Sequence, residues 1–259
     1  RNVVHEILTT VALEMSKLEA DDVSVYKVDK KDILKPKSGE ALRHLADTVA
    51  GNLGGLTFDL YRTSAKPHTV AAHHAPTPIL VVGSELTRAY QTREQRFLLG
   101  RGLMAMRCGH HLVRELSVNE LAVLLSAIAK SVDKSFPALR DHADLEGLTK
   151  RVSASLSRQT RKMLQEPVTQ LLQRWQDVDL AAFLAAIPMT EARAGLAVCG
   201  SFPTAARLYA RHRGTLLSED PEMLVASLEA DPVLNDLFTF ALSDEHFQAR
   251  QALRFAVDT

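Results

Sequence analysis

"FLLGRGLMAMRCGHH", Phe97 to His111, is the stretch on which the reading of the fold turns. One arginine interrupts an apolar run, two glycines flank it, and a histidine pair follows. On a helical wheel Phe97–Met106 is apolar nearly all round, which is the pattern of a buried helix. A buried Arg101 needs hydrogen-bond partners, because an uncompensated charge is costly in apolar surroundings. Two roles fit it. One is a structural arginine capping carbonyls or pairing with a carboxylate. The other is an arginine filling a vacated metal pocket, against Glu191.

The flanks supply the context. "TPILVVG", Thr77–Gly83, is a β-branched run that predicts a strand, and Leu56–Arg62 alternates like one. Between them Lys66–Pro76 reads as a loop holding His68, His73 and His74, so two to four strands fit the region. Upstream, Val4, Ile7, Leu8, Val11, Met15 and Leu18 repeat at helical steps, predicting a helix over Val3–Leu18. Asp21–Lys37 is charged, with a brief strand candidate at Val23–Val28. Ser38 reads as the cap of a helix through Leu53. After Ser84 nearly everything is helical. Thr92 with Gln95, and Ser117 with Glu120, have capping-box spacing. Further helices are predicted over Leu139–Ser157, Thr160–Gln173, Val178–Ala186, Thr190–Cys199, Pro203–Arg213, Glu219–Glu229, Val233–Leu242 and Asp244–Val257.

Composition bounds the function. The 259 residues are 46% hydrophobic and 24% charged, with 31 basic and 31 acidic side chains, so whole-molecule attraction to nucleic acid or an anionic membrane is not indicated. No apolar run reaches the roughly 18 residues of a membrane span. Cys108 and Cys199 show no C-x-x-C spacing, and they read as buried free thiols of a reducing, cytoplasmic setting. A disulfide between them stays open. The chain starts at Arg1 without Met, which reads as a C-terminal fragment of a longer chain, with residues 1–37 as a leading helix or linker.

Taken as one unit, "PILVVGSELTRAYQTREQRFLLGRGLMAM" (Pro78–Met106) runs strand, short helix, polar turn, buried helix. This order resembles the core of gluzincin metallopeptidases related to CAAX-processing proteases. There the buried helix carries H-E-x-x-H, two zinc-binding histidines one turn apart with a glutamate as general base. On that alignment Arg101 stands at the first histidine, Gly102 at the glutamate and Ala105 at the second histidine. "PMTEARAGLAVCGSFPTAARLY" (Pro188–Tyr209) resembles the segment supplying the third ligand. Arg193, Gly195 and Leu196 match it, but Pro188 replaces the ligand glutamate and Ala192 an aspartate. With "FALSDEHFQAR" (Phe240–Arg250), the order is similar to degenerate peptidase-like domains that follow tetratricopeptide arrays in large bacterial proteins. The resemblance runs from about Ala41 to Leu253.

Other candidates are weaker. His73-His74 and His110-His111 are adjacent pairs, and neighbours point to different faces, so a pair rarely gives two ligands to one ion. Whether the pairs meet in space is left open. If Leu148–Leu164 is one helix, Lys150, Arg151, Arg158, Arg161 and Lys162 share about a third of its circumference. That is a solvated face or a docking surface for an acidic partner. Thr215–Thr259, with nine acidic residues against two arginines, is one such partner. No G-x-S-x-G or P-loop occurs.

The sequence thus predicts an α+β, predominantly helical fold, with a small β-sheet (about residues 56–83) packed on a helical zincin-like core. Residues 1–259 form a single degenerate peptidase-like domain. The expected function is non-catalytic, an interaction or regulatory module with a protein partner, no cofactor and no metal. The alternatives are a hydrolase with a displaced histidine-based metal site, and a binder of an acidic partner or nucleic acid through the basic helix.

Overall fold

The computed structural model describes residues 2–254. In chain order its elements are α1 (Val3–Val11), α2 (Ala41–Asn52), β1 (Asp59–Thr63), β2 (Val70–His73), β3 (Ile79–Gly83), α3 (Thr92–Arg107), α4 (Val118–Val132), α5 (Leu145–Ser155), α6 (Arg158–Gln173), α7 (Leu180–Cys199), α8 (Phe202–His212), α9 (Pro221–Ala230), α10 (Pro232–Ala241) and α11 (Asp244–Ala252), with short 3-10 turns between them. The class is α+β and mostly helical, with one small mixed sheet. Packing divides the described chain into two compact units. The first comprises residues 2–23, 72–79 and 105–187, the second 24–71, 80–104 and 188–254.

The first unit is helical. Val4, Ile7, Leu8 and Val11 line the inner face of α1 and are fully buried. They share a core with Leu121, Leu125 and Ile128 of α4, Val152 of α5, and Leu164 and Leu171 of α6. α1 packs on α6, and α4 on both α5 and α6. A carboxylate beyond the end of α1 ties the group together. Glu14 accepts the Ser157 N–H at 2.8 Å and the Thr160 hydroxyl at 2.7 Å, placing negative charge at the N-terminus of α6, where the helix dipole favours it.

The second unit holds most of the sheet. Its order is β1-β3-β2, so β3 is central, and Leu80, Val81 and Val82 are completely buried. The short β2–β3 connection makes that pair antiparallel, leaving β1 parallel to β3. Here α3 and α7 meet through glycines. A Cβ on Gly100 would stand 2.5 Å from Val198 Cγ2 and 3.1 Å from the Cα of Gly195. One on Gly195 would stand 2.7 Å from the Phe97 carbonyl oxygen and 2.9 Å from Arg101 Cγ. Two arginines then fasten later helices to α7. Arg193 pairs with both oxygens of Asp236 on α10, at 2.8 and 2.5 Å. Arg250 of α11 donates to the Ala197 carbonyl at 2.9 Å, near the end of α7.

Several expectations shift. α1 ends at Val11, not Leu18, and Val23–Val28 contains a 3-10 turn at Ser24–Tyr26 rather than a strand. The histidine-bearing loop contributes β2. The second helix starts at Ala41, and its N-cap is Glu40, which makes no side-chain cap bond, rather than Ser38. α3 is capped one residue earlier than its Thr92/Gln95 spacing implied. The Glu94 carboxylate accepts the Gln91 N–H at 2.7 Å, while the Gln95 amide donates to the carbonyls of Leu86 and Tyr90. The Ser117/Glu120 box forms as expected. Val178–Ala186 and Thr190–Cys199 are one helix running through Pro188. An interior proline costs roughly 3 kcal/mol, and burial of Phe183, Ile187, Ala192, Ala194 and Leu196 offsets it. α7 also corrects the reading that no segment has the length of a span. Its 20 residues have a mean hydropathy of 1.3 in the most apolar window, but 56% of that window is buried in the fold, as in a core helix. The last helix, predicted to reach Val257, ends at Ala252, with Leu253 as its C-cap and Arg254 at a φ of +57°; the remainder of the predicted stretch lies outside the described residues.

Leu99 and Leu103 on α3 are both completely buried. Leu99→Ala or Leu103→Ala should cost about 2–5 kcal/mol, read as a lowered midpoint in urea unfolding. A loss under ~0.5 kcal/mol at both sites, the level of surface substitutions, would contradict this placement.

Candidate functional site

Four of the five positions aligned with a zinc site fall in the second unit, and each lacks a donor. Arg101 is half-buried. Its guanidinium carbon lies 5.8 Å from the centre of the Phe97 ring and 5.4 Å from that of Tyr209 on α8, within reach of cation–π attraction. Gly102 faces the sheet. A Cβ there would sit 2.6 Å from Leu80 Cδ1 and 3.3 Å from Val70 Cγ1. On α7, Pro188 is half-buried and Ala192 fully buried, and Glu191 is 4% exposed. Ala105 belongs to the first unit and is completely buried.

The basic stripe is not one helix face. The chain breaks at Leu156, whose backbone is extended, and restarts with Ser157 capping α6. Lys150 and Arg151 on α5 pair with Glu146 at 3.1 Å and Asp144 at 2.7 Å. Met163, expected on the apolar side, is 56% exposed. The serine cap prevails over helix continuation because its hydroxyl satisfies a free N–H of the new first turn. Arg158, Arg161 and Lys162 remain together on α6, exposed, lining a shallow groove with Val132, Gln159 and Gln165. Arg161 also donates to the Leu156 carbonyl at 3.0 Å.

The histidine pairs do meet, in the first unit. The rings of His74 and His111 are 6.1 Å apart, and both residues are buried. Asp21 accepts the His74 backbone N–H at 2.8 Å and lies 3.4 Å from the His73 ring. Burial pushes the Asp21 carboxyl up, but hydrogen bonds from His73 and the His74 backbone outweigh it and hold the pKa below the usual range. Burial also lowers His74, with partial compensation from Asp21 and the carbonyls of Leu18 and Met15. His111 is pushed down to about 4 by burial, against the pull of the Ala105 carbonyl, and the neighbouring His74 and His110 add to the depression. Its Nδ1 is 3.2 Å from that carbonyl oxygen. Both rings are therefore held neutral at neutral pH.

Among the described residues, one set of three potential metal donors converges, also in the first unit. The ligand atoms of His5, Cys108 and His110 all lie within 4.8 Å of one another. The sequence offered the Cys-Gly-His spacing but not His5, which is some hundred residues away and reaches the set only through tertiary packing. Both cysteines are free and buried, so no disulfide joins them. Burial pushes the Cys199 thiol up to about 11, far from a reactive thiolate.

The buried imidazoles predict acid sensitivity. An unfolded His111 titrates near 6.5 and the folded one near 4, so between these values the unfolded chain binds the extra proton. Stability should be intact above about pH 6.5 and fall as pH drops toward 4, by about 3 kcal/mol from this group. Urea midpoints in metal-free protein across that range would show it. His111→Gln, able to keep a donor to Ala105, should flatten the slope, and an unchanged slope would refute the assignment.

Comparison of the chain with models of protein families, with curated proteins and with solved structures gives no match.

Proposed function

We propose that this chain is a non-catalytic interaction or regulatory module on a metallopeptidase-like scaffold of the gluzincin, CAAX-protease-related kind. The observation that carries the reading is position 102. A general base must reach the water it activates, yet at Gly102 there is no side chain to act as one, and the Leu80 and Val70 side chains crowd the space that one would take. Arg101 adds a fixed positive charge where the alignment expects a zinc ligand, and Pro188 and Ala192 offer no donor. Without ligands and base, both contributions of a metal, water activation and carbonyl polarisation, are lost at these positions. The close approach of α3 and α7 through Gly100 and Gly195 supports the scaffold reading, because the two helices that would carry the ligands are neighbours in the second unit.

A retained scaffold without chemistry favours binding, an argument by analogy of fold. The surface best suited to a protein partner is the exposed cationic face of α6, Arg158, Arg161 and Lys162, and it fits an acidic one. Lys150 and Arg151, already compensated by Glu146 and Asp144, drop out of that face. This weakens the nucleic-acid alternative, which needs a longer basic track.

Tag-free protein supplied with Zn2+ should cleave a mixed peptide library no faster than a protein-free control, and Arg101→His/Gly102→Glu/Ala105→His should not gain activity. Chelator-sensitive cleavage by the wild type would overturn the reading. Arg158→Glu/Arg161→Glu should leave the unfolding free energy within about 0.5–1 kcal/mol of wild type, a surface cost plus one hydrogen bond. It should also slow association with an acidic partner in a salt-dependent way. Identical association rates for the two proteins would remove the face from the proposal.

A further inference from the structure

We infer that the first unit binds one thiophilic metal ion, Zn2+, through His5, Cys108 and His110. This site shares no residue with the positions aligned to the peptidase centre, and it stands or falls independently of the proposed function.

The site is built by one backbone contact. After α3 the chain turns at Gly109, whose φ of +72° is a left-handed conformation that residues with a side chain rarely adopt. A Cβ at Gly109 would lie 2.7 Å from the Leu8 carbonyl oxygen and 3.3 Å from Leu8 Cβ. Glycine therefore lets the turn seat directly on α1. His5 precedes Leu8 by three residues, so the two are neighbours on one side of that helix. Seating Gly109 on Leu8 brings Cys108 and His110, which flank the glycine, to His5. The His5 and His110 rings are 6.3 Å apart and tilted by 59°, so they converge rather than stack.

The donor set selects the ion. Two imidazoles and one sulfur, with no carboxylate, suit borderline-soft Zn2+ and disfavour Ca2+ and Mg2+, which require oxygen ligands. Cys108 and His110 are 5% and 1% exposed, while His5 is half-buried. Tetrahedral zinc holds such donors roughly 3.3–3.6 Å apart, from bond lengths near 2.3 Å to sulfur and 2.0 Å to nitrogen. The set would therefore contract by at most about 1.5 Å on binding, and the half-buried His5 has the most room to move. Binding converts the Cys108 thiol to thiolate and releases its proton, so uptake strengthens as pH rises. Three protein donors leave one tetrahedral position to water.

The test is metal titration of tag-free full chain, first stripped with a chelator. Wild type should take up one equivalent of Zn2+, and Co2+ should give a thiolate-to-metal charge-transfer band. Cys108→Ser should abolish the band, and His5→Gln should weaken Zn2+ binding by at least about tenfold, the low end for disturbing a metal shell. Cys199→Ser, removing the other buried thiol, should change neither. Uptake below half an equivalent, or a band that survives Cys108→Ser, would overturn the assignment. If circular dichroism shows that Cys108→Ser fails to fold, the wild type decides. Zn2+ should protect Cys108 but not Cys199 from alkylation, mapped by mass spectrometry, and equal labelling with and without Zn2+ would also overturn it.

Discussion

The second unit depends on the meeting of α3 and α7 at Gly100 and Gly195. Neither glycine carries a side chain, so the backbone of each helix comes close to the other and to the Val198, Phe97 and Arg101 side chains, and a β-carbon on either residue would overlap its neighbours. Close packing of this kind has little tolerance, because interiors fill at near-crystalline density. The crossing fixes where Phe97 and Arg101 lie against α7. It also leaves Gly102 facing the sheet, with Leu80 filling the space a side chain would need.

From α7 outward, order is imposed by charge as well as by burial. Arg193 engages both oxygens of Asp236, a planar fork matched to a carboxylate, and its guanidinium lies 5.2 Å from the Phe240 ring. Arg250 reaches back to the Ala197 carbonyl, one of the acceptors that a helix end leaves without an intrahelical donor. The acidic character of the C-terminal helices thus has an internal use. Asp236 serves α7, and the residues that read as a distant acidic partner in sequence are partly spent within the unit.

The first unit follows a different logic. Its core is mostly aliphatic, and its histidine and thiol chemistry gathers around the turn at Gly109. Consecutive histidines there serve different neighbours, His110 beside His5 and Cys108, and His111 beside His74 and Asp21. Adjacent residues diverge, as the backbone requires, and the divergence makes two separate histidine environments out of one dipeptide.

Much of this was legible in the sequence. The mostly helical α+β class, the strands at Asp59–Thr63 and Ile79–Gly83, the capping box at Ser117 and the buried character of Phe97–Met106 follow from periodicity and local hydrogen bonding, which act within a few residues. Helix continuity was legible in one place and not in another. The helices predicted to end at Ser157 and to start at Thr160 leave the break that Leu156–Ser157 makes, because a serine cap is a local signal. Pro188 signals a break that burial overrides, and that outcome depends on what packs against the segment. The same holds for the sites. The sequence itself determined which positions lack donors, since Arg101, Gly102, Ala105, Pro188 and Ala192 have none to offer a zinc ion at neutral pH. Only the tertiary structure decided that His5 joins Cys108 and His110, and that His74 meets His111. Such convergence requires the chain to close loops of tens to about a hundred residues, and packing of apolar faces, rather than any local preference, sets where those loops close.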